Sequence, residues 1–210
     1  MNFSAVILAG GKSSRMGQDK AFLEIGGQTL LARQIQLVRT AGAVEIFISG
    51  RVGVDYSAFG CRVLHDKFAD AGPLAGIERA LDAATAPHLL VLAVDLPEMT
   101  VEILLRLAAG CSQRCGAIPR LSNHVEPLVA LYPKATQPLA LAGLENKNFA
   151  VKDFAEQCVK SDRARLVELP ASKRKYFVNW NHPIFDNPAV LDSNPSSKWF
   201  SASDPAEDTE

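Results

Sequence analysis

Val6-Ile7-Leu8-Ala9-Gly10-Gly11-Lys12-Ser13-Ser14-Arg15-Met16-Gly17-Gln18-Asp19-Lys20 is the stretch that decides the fold. A short apolar run, β-branched at its start, breaks off at Gly10-Gly11. A loop of cationic and hydroxyl side chains follows and closes on Gly17 and Lys20. A buried strand opening into a glycine-rich basic loop suits phosphate. Glycine lets backbone N–H groups approach an anion, and Lys and Arg neutralise it. The expected ligand is a nucleoside triphosphate. The competing reading is a surface turn that happens to be rich in Gly, Ser and Lys.

Two familiar phosphate loops are excluded by spacing. Gly11-Lys12-Ser13 mimics the end of a P-loop, but the leading glycine would fall at Val6. The dinucleotide fingerprint fails because Lys12 stands where its second glycine belongs.

Outward from this stretch, strand-like and helix-like segments alternate. Phe3–Leu8 reads as a strand and 28–40 as an amphipathic helix stopped by Gly42. Strands are expected at 44–48 and 61–64, and a helix at 73–84. Leu89-Leu90-Val91-Leu92-Ala93-Val94 is a continuous apolar run ending at Asp95, the pattern of a central parallel strand buried on both faces. Thr100 then caps a helix running to about Ala109, with Glu102 in its first turn. The second half is less regular. Strands are expected at 116–119, 126–132, 165–169 and 177–179, and helices at 137–144 and 151–157. This alternation predicts an α/β fold: a single-domain three-layer α/β/α sandwich around a mostly parallel sheet. The domain is expected to span residues 1–190. Residues 191–210 read as a C-terminal tail, with 201–210 acidic, poor in apolar residues and disordered. Trp199 and Phe200 are its candidates for docking.

Composition removes several function classes. The chain has 210 residues, 48% of them hydrophobic, and a formal net charge of −1. It offers no general attraction for nucleic acid. Its longest apolar runs are far too short to span a membrane, and no basic leader precedes the first. Cys61, Cys111, Cys115 and Cys158 lack zinc-ligand spacing. They read as reduced thiols of a cytoplasmic protein, with Cys61 and Cys158 in apolar, packed patterns.

In open α/β sheets, ligands bind beyond the carboxyl ends of the strands. The 10–20 loop, Asp66 and Asp95 all fall there. A carboxylate at the end of a buried strand needs a partner. Mg²⁺ bridging to phosphates suits it, because that ion takes one or two carboxylates with phosphate oxygens and water. The blander readings are a turn or cap before Pro97 for Asp95, a solvated loop for Asp66 and an ordinary surface residue for Lys20.

The spacing Leu-Ala-Gly-Gly-x-Ser-x-Arg-Met-Gly-x-Asp-Lys over residues 8–20 resembles the nucleotidyltransferases that activate small molecules with an NTP, above all the molybdenum cofactor guanylyltransferases. Ala71-Gly72-Pro73-Leu74-Ala75-Gly76-Ile77, Val94-Asp95-Leu96-Pro97, Glu126-Pro127-Leu128-Val129-Ala130-Leu131-Tyr132 and Phe177-Val178-Asn179-Trp180-Asn181-His182-Pro183 resemble further motifs of that family, in the same order. The resemblance implies a Rossmann-like nucleotidyltransferase fold and transfer of GMP from GTP to molybdopterin, with Mg²⁺ as cofactor. It implies that Leu8, Ala9, Gly10 and Gly11 contact the nucleotide. It places Lys20 on the phosphates with Arg15 nearby, Asp66 on GTP, Asp95 on GTP and Mg²⁺, and Asn179 and Asn181 on the acceptor side. It also implies transient contact with proteins that deliver molybdopterin or mature molybdoenzymes. Three departures stand out. Ile48-Ser49-Gly50-Arg51 lacks the asparagine many relatives carry there, Glu126 replaces a histidine, and His182 replaces a threonine. A cytidylyltransferase for the same cofactor (where Leu-Ala-Ala-Gly is usual), a sugar-phosphate nucleotidyltransferase and a non-catalytic nucleotide-binding protein are the alternatives.

Overall fold

In a computed structural model that describes residues 1–10 and 19–180, the apolar run β1 (Phe3–Leu8) is buried at every position. It lies between two parallel partners, β4 (Glu45–Ser49) and β6 (His88–Ala93). Burial on both faces of a strand favours apolar residues, which is why β1 and β6 read as nearly continuous apolar runs, with Ser4 and His88 their buried polar positions. The sheet continues outward from β4 to β5 (Arg62–Leu64), again in parallel. On the other side β6 meets the antiparallel β9 (Val129–Pro133), then β7 (Gly116–Leu121) and β10 (Ala164–Leu169). The order is β5-β4-β1-β6-β9-β7-β10, with β9 the antiparallel member.

Helices cover both faces. Along the strands, alternate side chains point to opposite sides. Val6, Leu8, Phe47, Leu89, Val91, Ile118, Ala130 and Tyr132 share one buried cluster with α2 (Pro73–Ala83), α4 (Gln137–Glu145) and α5 (Val151–Lys160). The other group is α1 (Leu30–Thr40) packed with α3 (Val101–Ala109). The expected sandwich is therefore the observed one. No helix among the described residues is long and apolar enough to cross a membrane.

Several boundaries shift for physical reasons. The helix expected from Gln28 starts at Leu30, because Glu24–Ile25 (β2) and Gln28–Thr29 (β3) form a small hairpin. Gly26 and Gly27 supply its positive φ angles of 58° and 77°. Thr29 then caps α1, its hydroxyl accepting from the Ala32 N–H. The strand expected at 126–132 starts only at Val129 (β9), since Pro127 has no N–H for a ladder, and a short strand not expected from sequence, His124–Val125 (β8), precedes it and pairs with β7. The strand expected at 177–179 is absent. Residues Ala171–Phe177 form a 3₁₀ turn instead, entered by the Lys173 N–H bonding the Pro170 carbonyl. Lys173-Arg174-Lys175 offers no alternating apolar face, and both lysines lie over the Tyr176 ring.

All four cysteines are unpaired; Cys158 is buried, and Cys61 is only half-buried. These elements belong to a unit that ends at Asn179, and a second unit starts at Trp180. The expected domain end at 190 and the tail 191–210 lie outside the described residues.

Gly116 is where β7 crosses closest to β9. A Cβ there would collide with the Leu131 carbonyl oxygen and lie 2.9 Å from Pro133 Cδ. Gly116→Ala should therefore destabilise the sheet by about 1–3 kcal/mol. A thermal melt should show a Tm several degrees lower; an unchanged Tm would mean the two strands can separate without cost.

Candidate active site

β1 and β6 are neighbours, yet the chain passes through β4 and β5 before returning to β6. This makes their junction a topological switch point, where a crevice opens beyond the carboxyl ends. The register places Leu8 opposite Ala93, so the two strands finish together. The Val94 N–H donates to the Leu8 carbonyl at 3.2 Å and keeps the ends together past the ladder.

Just beyond lies a cavity of about 240 Å³. Its walls are Leu8, Ala9 and Gly10 from β1, Asp19 and Lys20, Ala93 through Asp95 from β6, Pro73 and Leu128. Lys20 Nζ meets Asp95 Oδ2 at 3.1 Å, with the two side chains 22% and 19% exposed. Asp95 is held in place through the turn that follows it. Gln34, buried in α1, donates from Nε2 to the Leu96 carbonyl at 2.7 Å. The Ala9 and Gly10 N–H groups both donate to the Ser49 carbonyl, at 3.0 and 2.9 Å. A Cβ on Gly10 would meet that oxygen at an ordinary 3.6 Å, so the fold does not require glycine there.

Pro73 contributes to the wall from the start of α2, just after Gly72. Gly72 adopts φ 65°, and Pro73 opens α2 at its first turn. The positive end of α2 thus faces the cavity wall. Gly76, one turn on, lets α2 pack against β4, since a Cβ there would collide with the Ser49 hydroxyl.

Of the residues singled out from sequence, Leu8, Ala9, Gly10, Lys20 and Asp95 come together at this cavity. Asp66 does not line it. It follows β5 on the exposed surface, and its carboxyl titrates above the usual range. Desolvation is the main cause; His65 opposes it and Glu78 adds like-charge repulsion. Asn179 is exposed and also lies away from the cavity lining. Gly11, Arg15 and Asn181 lie outside the described residues. Asp19, Pro73 and Leu128 also line the cavity. All three fall within stretches singled out from sequence, but none was given a role of its own there.

Among the described residues, no three His, Cys, Asp or Glu side chains converge as a metal cage. The donor set does fit an ion held mainly by a substrate. Both Asp19 oxygens are engaged, Oδ1 by the Ala21 N–H and Oδ2 by the Tyr56 hydroxyl. Lys20 takes Asp95 Oδ2, leaving Oδ1 as the ligand a cation would use. Mg²⁺ needs only one or two such oxygens when phosphates and water supply the rest.

A glycine-bearing strand end, a lysine and a carboxylate thus meet around one crevice of an α/β sheet. Residues 5–160 match the MobA-like NTP transferase domain. The chain is 37% identical over 183 residues to a probable molybdenum cofactor guanylyltransferase of Opitutus terrae, covering 86% of this chain and 91% of the relative. It is 33% identical over 194 residues to the molybdenum cofactor guanylyltransferase of Xanthomonas euvesicatoria pv. vesicatoria, covering 89% and 96%. The chain therefore belongs to the MobA-like NTP transferases and, within them, to the molybdenum cofactor guanylyltransferase family. The fold matches the crystal structure of molybdopterin-guanine dinucleotide biosynthesis protein A from Archaeoglobus fulgidus, with a TM-score of 0.65 at 22% identity over 87% of this chain and 93% of that one.

Lys20→Ala should weaken triphosphate binding by about 1.5–3 kcal/mol, the range for a charge-assisted contact. Its melting curve should stay near that of the unmutated protein. Calorimetric titration with GTP checks this; unchanged affinity would remove Lys20 from the site.

Proposed function

We propose that this protein transfers GMP from GTP to the phosphate of molybdenum-loaded molybdopterin, releasing pyrophosphate and forming molybdopterin guanine dinucleotide. The observation that carries the reading is the Lys20–Asp95 pair at the cavity between the ends of β1 and β6. An acceptor phosphate oxygen forms a bond to the α-phosphorus of GTP as the bond to the bridging oxygen of pyrophosphate breaks. The acceptor is already ionised near neutral pH, so no general base is needed. The barrier is the approach of two anions, and the chain's task is to neutralise and align them.

Lys20 lies where it can bind the triphosphate, and Arg15 from the preceding loop would add a second positive charge. The Leu8-Ala9-Gly10 backbone holds the nucleotide against the strand end, with Gly11 extending that contact. Asp66, just past β5, remains a proposed GTP contact. Asp95 would hold Mg²⁺, which supplies charge neutralisation on the phosphates. Asn179 and Asn181 are proposed to bind the acceptor. The reading assigns the protein to the cytoplasm, where unpaired thiols persist. It also implies transient contact with proteins that deliver molybdopterin or receive the product.

Incubation with equal GTP and CTP, Mg²⁺ and molybdenum-loaded molybdopterin, followed by product mass analysis, tests the reading. The guanine dinucleotide should predominate. Asp95→Asn should melt normally and lose Mg²⁺-dependent turnover, because asparagine keeps the shape without the charge. A predominant cytidylyl product would overturn the guanylyl assignment and leave the nucleotidyltransferase class intact.

A further inference from the structure

The residues on either side of 11–18 are held by the last residue of β4 and the segment joining β4 to β5. Before it, the Ala9 and Gly10 N–H groups share the Ser49 carbonyl. After it, Asp19 Oδ2 accepts from the Tyr56 hydroxyl at 3.3 Å, and that hydroxyl accepts from the Arg51 N–H at 3.2 Å. Tyr56 is 1% exposed. Burial lifts its phenol above the ordinary value, so the hydroxyl keeps the proton it gives to Asp19.

Asp19 has a second contact. Its Oδ1 accepts from the Ala21 N–H at 3.1 Å and so caps the short 3₁₀ turn Lys20–Phe22. Phe22 at the end of that turn stacks on the Tyr56 ring, with centroids 5.7 Å apart and an interplanar angle of 22°. Lys20 thus sits between two residues that both rest on Tyr56. Gly50 completes the arrangement. A Cβ there would lie 2.5 Å from Tyr56 Cε2, so the tyrosine ring fills the space that a side chain at position 50 would take.

We propose that Tyr56 is a positioning residue for nucleotide binding, acting through Asp19 to hold Lys20 at the triphosphate. The proposal rests on the reading of the cavity as a triphosphate site, but not on which base is used. Tyr56→Phe keeps the ring and its stacking and removes only the hydroxyl. Without it, Asp19 loses one of its two anchors and the turn carrying Lys20 loosens.

The test is a double-mutant cycle read by calorimetric titration with GTP and Mg²⁺. Tyr56→Phe alone should weaken GTP binding about two- to tenfold, the range for one hydrogen bond. In a Lys20→Ala background the same change should have little further effect, because the residue it positions is gone. Asp19→Asn, which cannot accept the tyrosine hydroxyl in the same way while its side-chain oxygen still caps Ala21, should show the same dependence on Lys20. It supplies the result if Tyr56→Phe melts too low to titrate. Unchanged affinity in Tyr56→Phe, or an equal loss with and without Lys20, overturns the proposal. Failure of the guanylyl reading would look different: CTP would bind better than GTP in the unmutated protein, with the coupling between Tyr56 and Lys20 still measurable using CTP.

Discussion

Lys20 and Asp95 are 75 residues apart in the chain and 3.1 Å apart in the fold. Their meeting depends on β1 and β6 being parallel neighbours that end in register. A pair with each side chain about one-fifth exposed adds little to stability, because water competes for both charges. Its value lies in what it can exchange. A triphosphate gives Lys20 a stronger partner, and a cation on that triphosphate gives Asp95 one. In the proposed function the pair holds the place of a magnesium–nucleotide complex, and the surrounding contacts arrange backbone around it.

Several contacts share the task of fixing these two side chains. Gln34 holds the turn after Asp95 from the α1 face. Tyr56 and Asp19 hold the turn carrying Lys20 from the β4–β5 connection. The Ser49 carbonyl holds the backbone of Ala9 and Gly10. Each anchor comes from a different element, so the site forms only when the sheet has assembled. Anchoring on packed strands and helices gives the preorganisation that charge stabilisation requires.

The sequence made the sheet's centre legible and its periphery much less so. β1 and β6 announce themselves because burial on both faces leaves only Ser4 and His88 to interrupt the apolar pattern. Their carboxyl ends then mark Gly10 and Asp95 as site residues. The β2–β3 hairpin escaped notice because two residues per strand carry no periodicity. The 177–179 segment looked extended from its apolar residues, but only a neighbouring strand with open hydrogen bonds could have made it a strand. Tyr56 was invisible for a similar reason. Its partners Arg51, Asp19 and Phe22 are brought together by tertiary packing, and nothing in the spacing of 19, 22, 51 and 56 encodes that. Asp66 shows the opposite limit. Its position after a strand suggested the cavity, but β5 is two strands removed from the β1–β6 junction, and Asp66 does not line the pocket.

The most direct measurement is a crystal structure with Mg²⁺ and a GTP analogue that cannot release pyrophosphate. The account predicts triphosphate oxygens against Lys20 Nζ, the ion on an Asp95 oxygen, and the 3.1 Å contact between the two side chains opened. A nucleotide bound elsewhere, with Lys20 and Asp95 still paired, would contradict it.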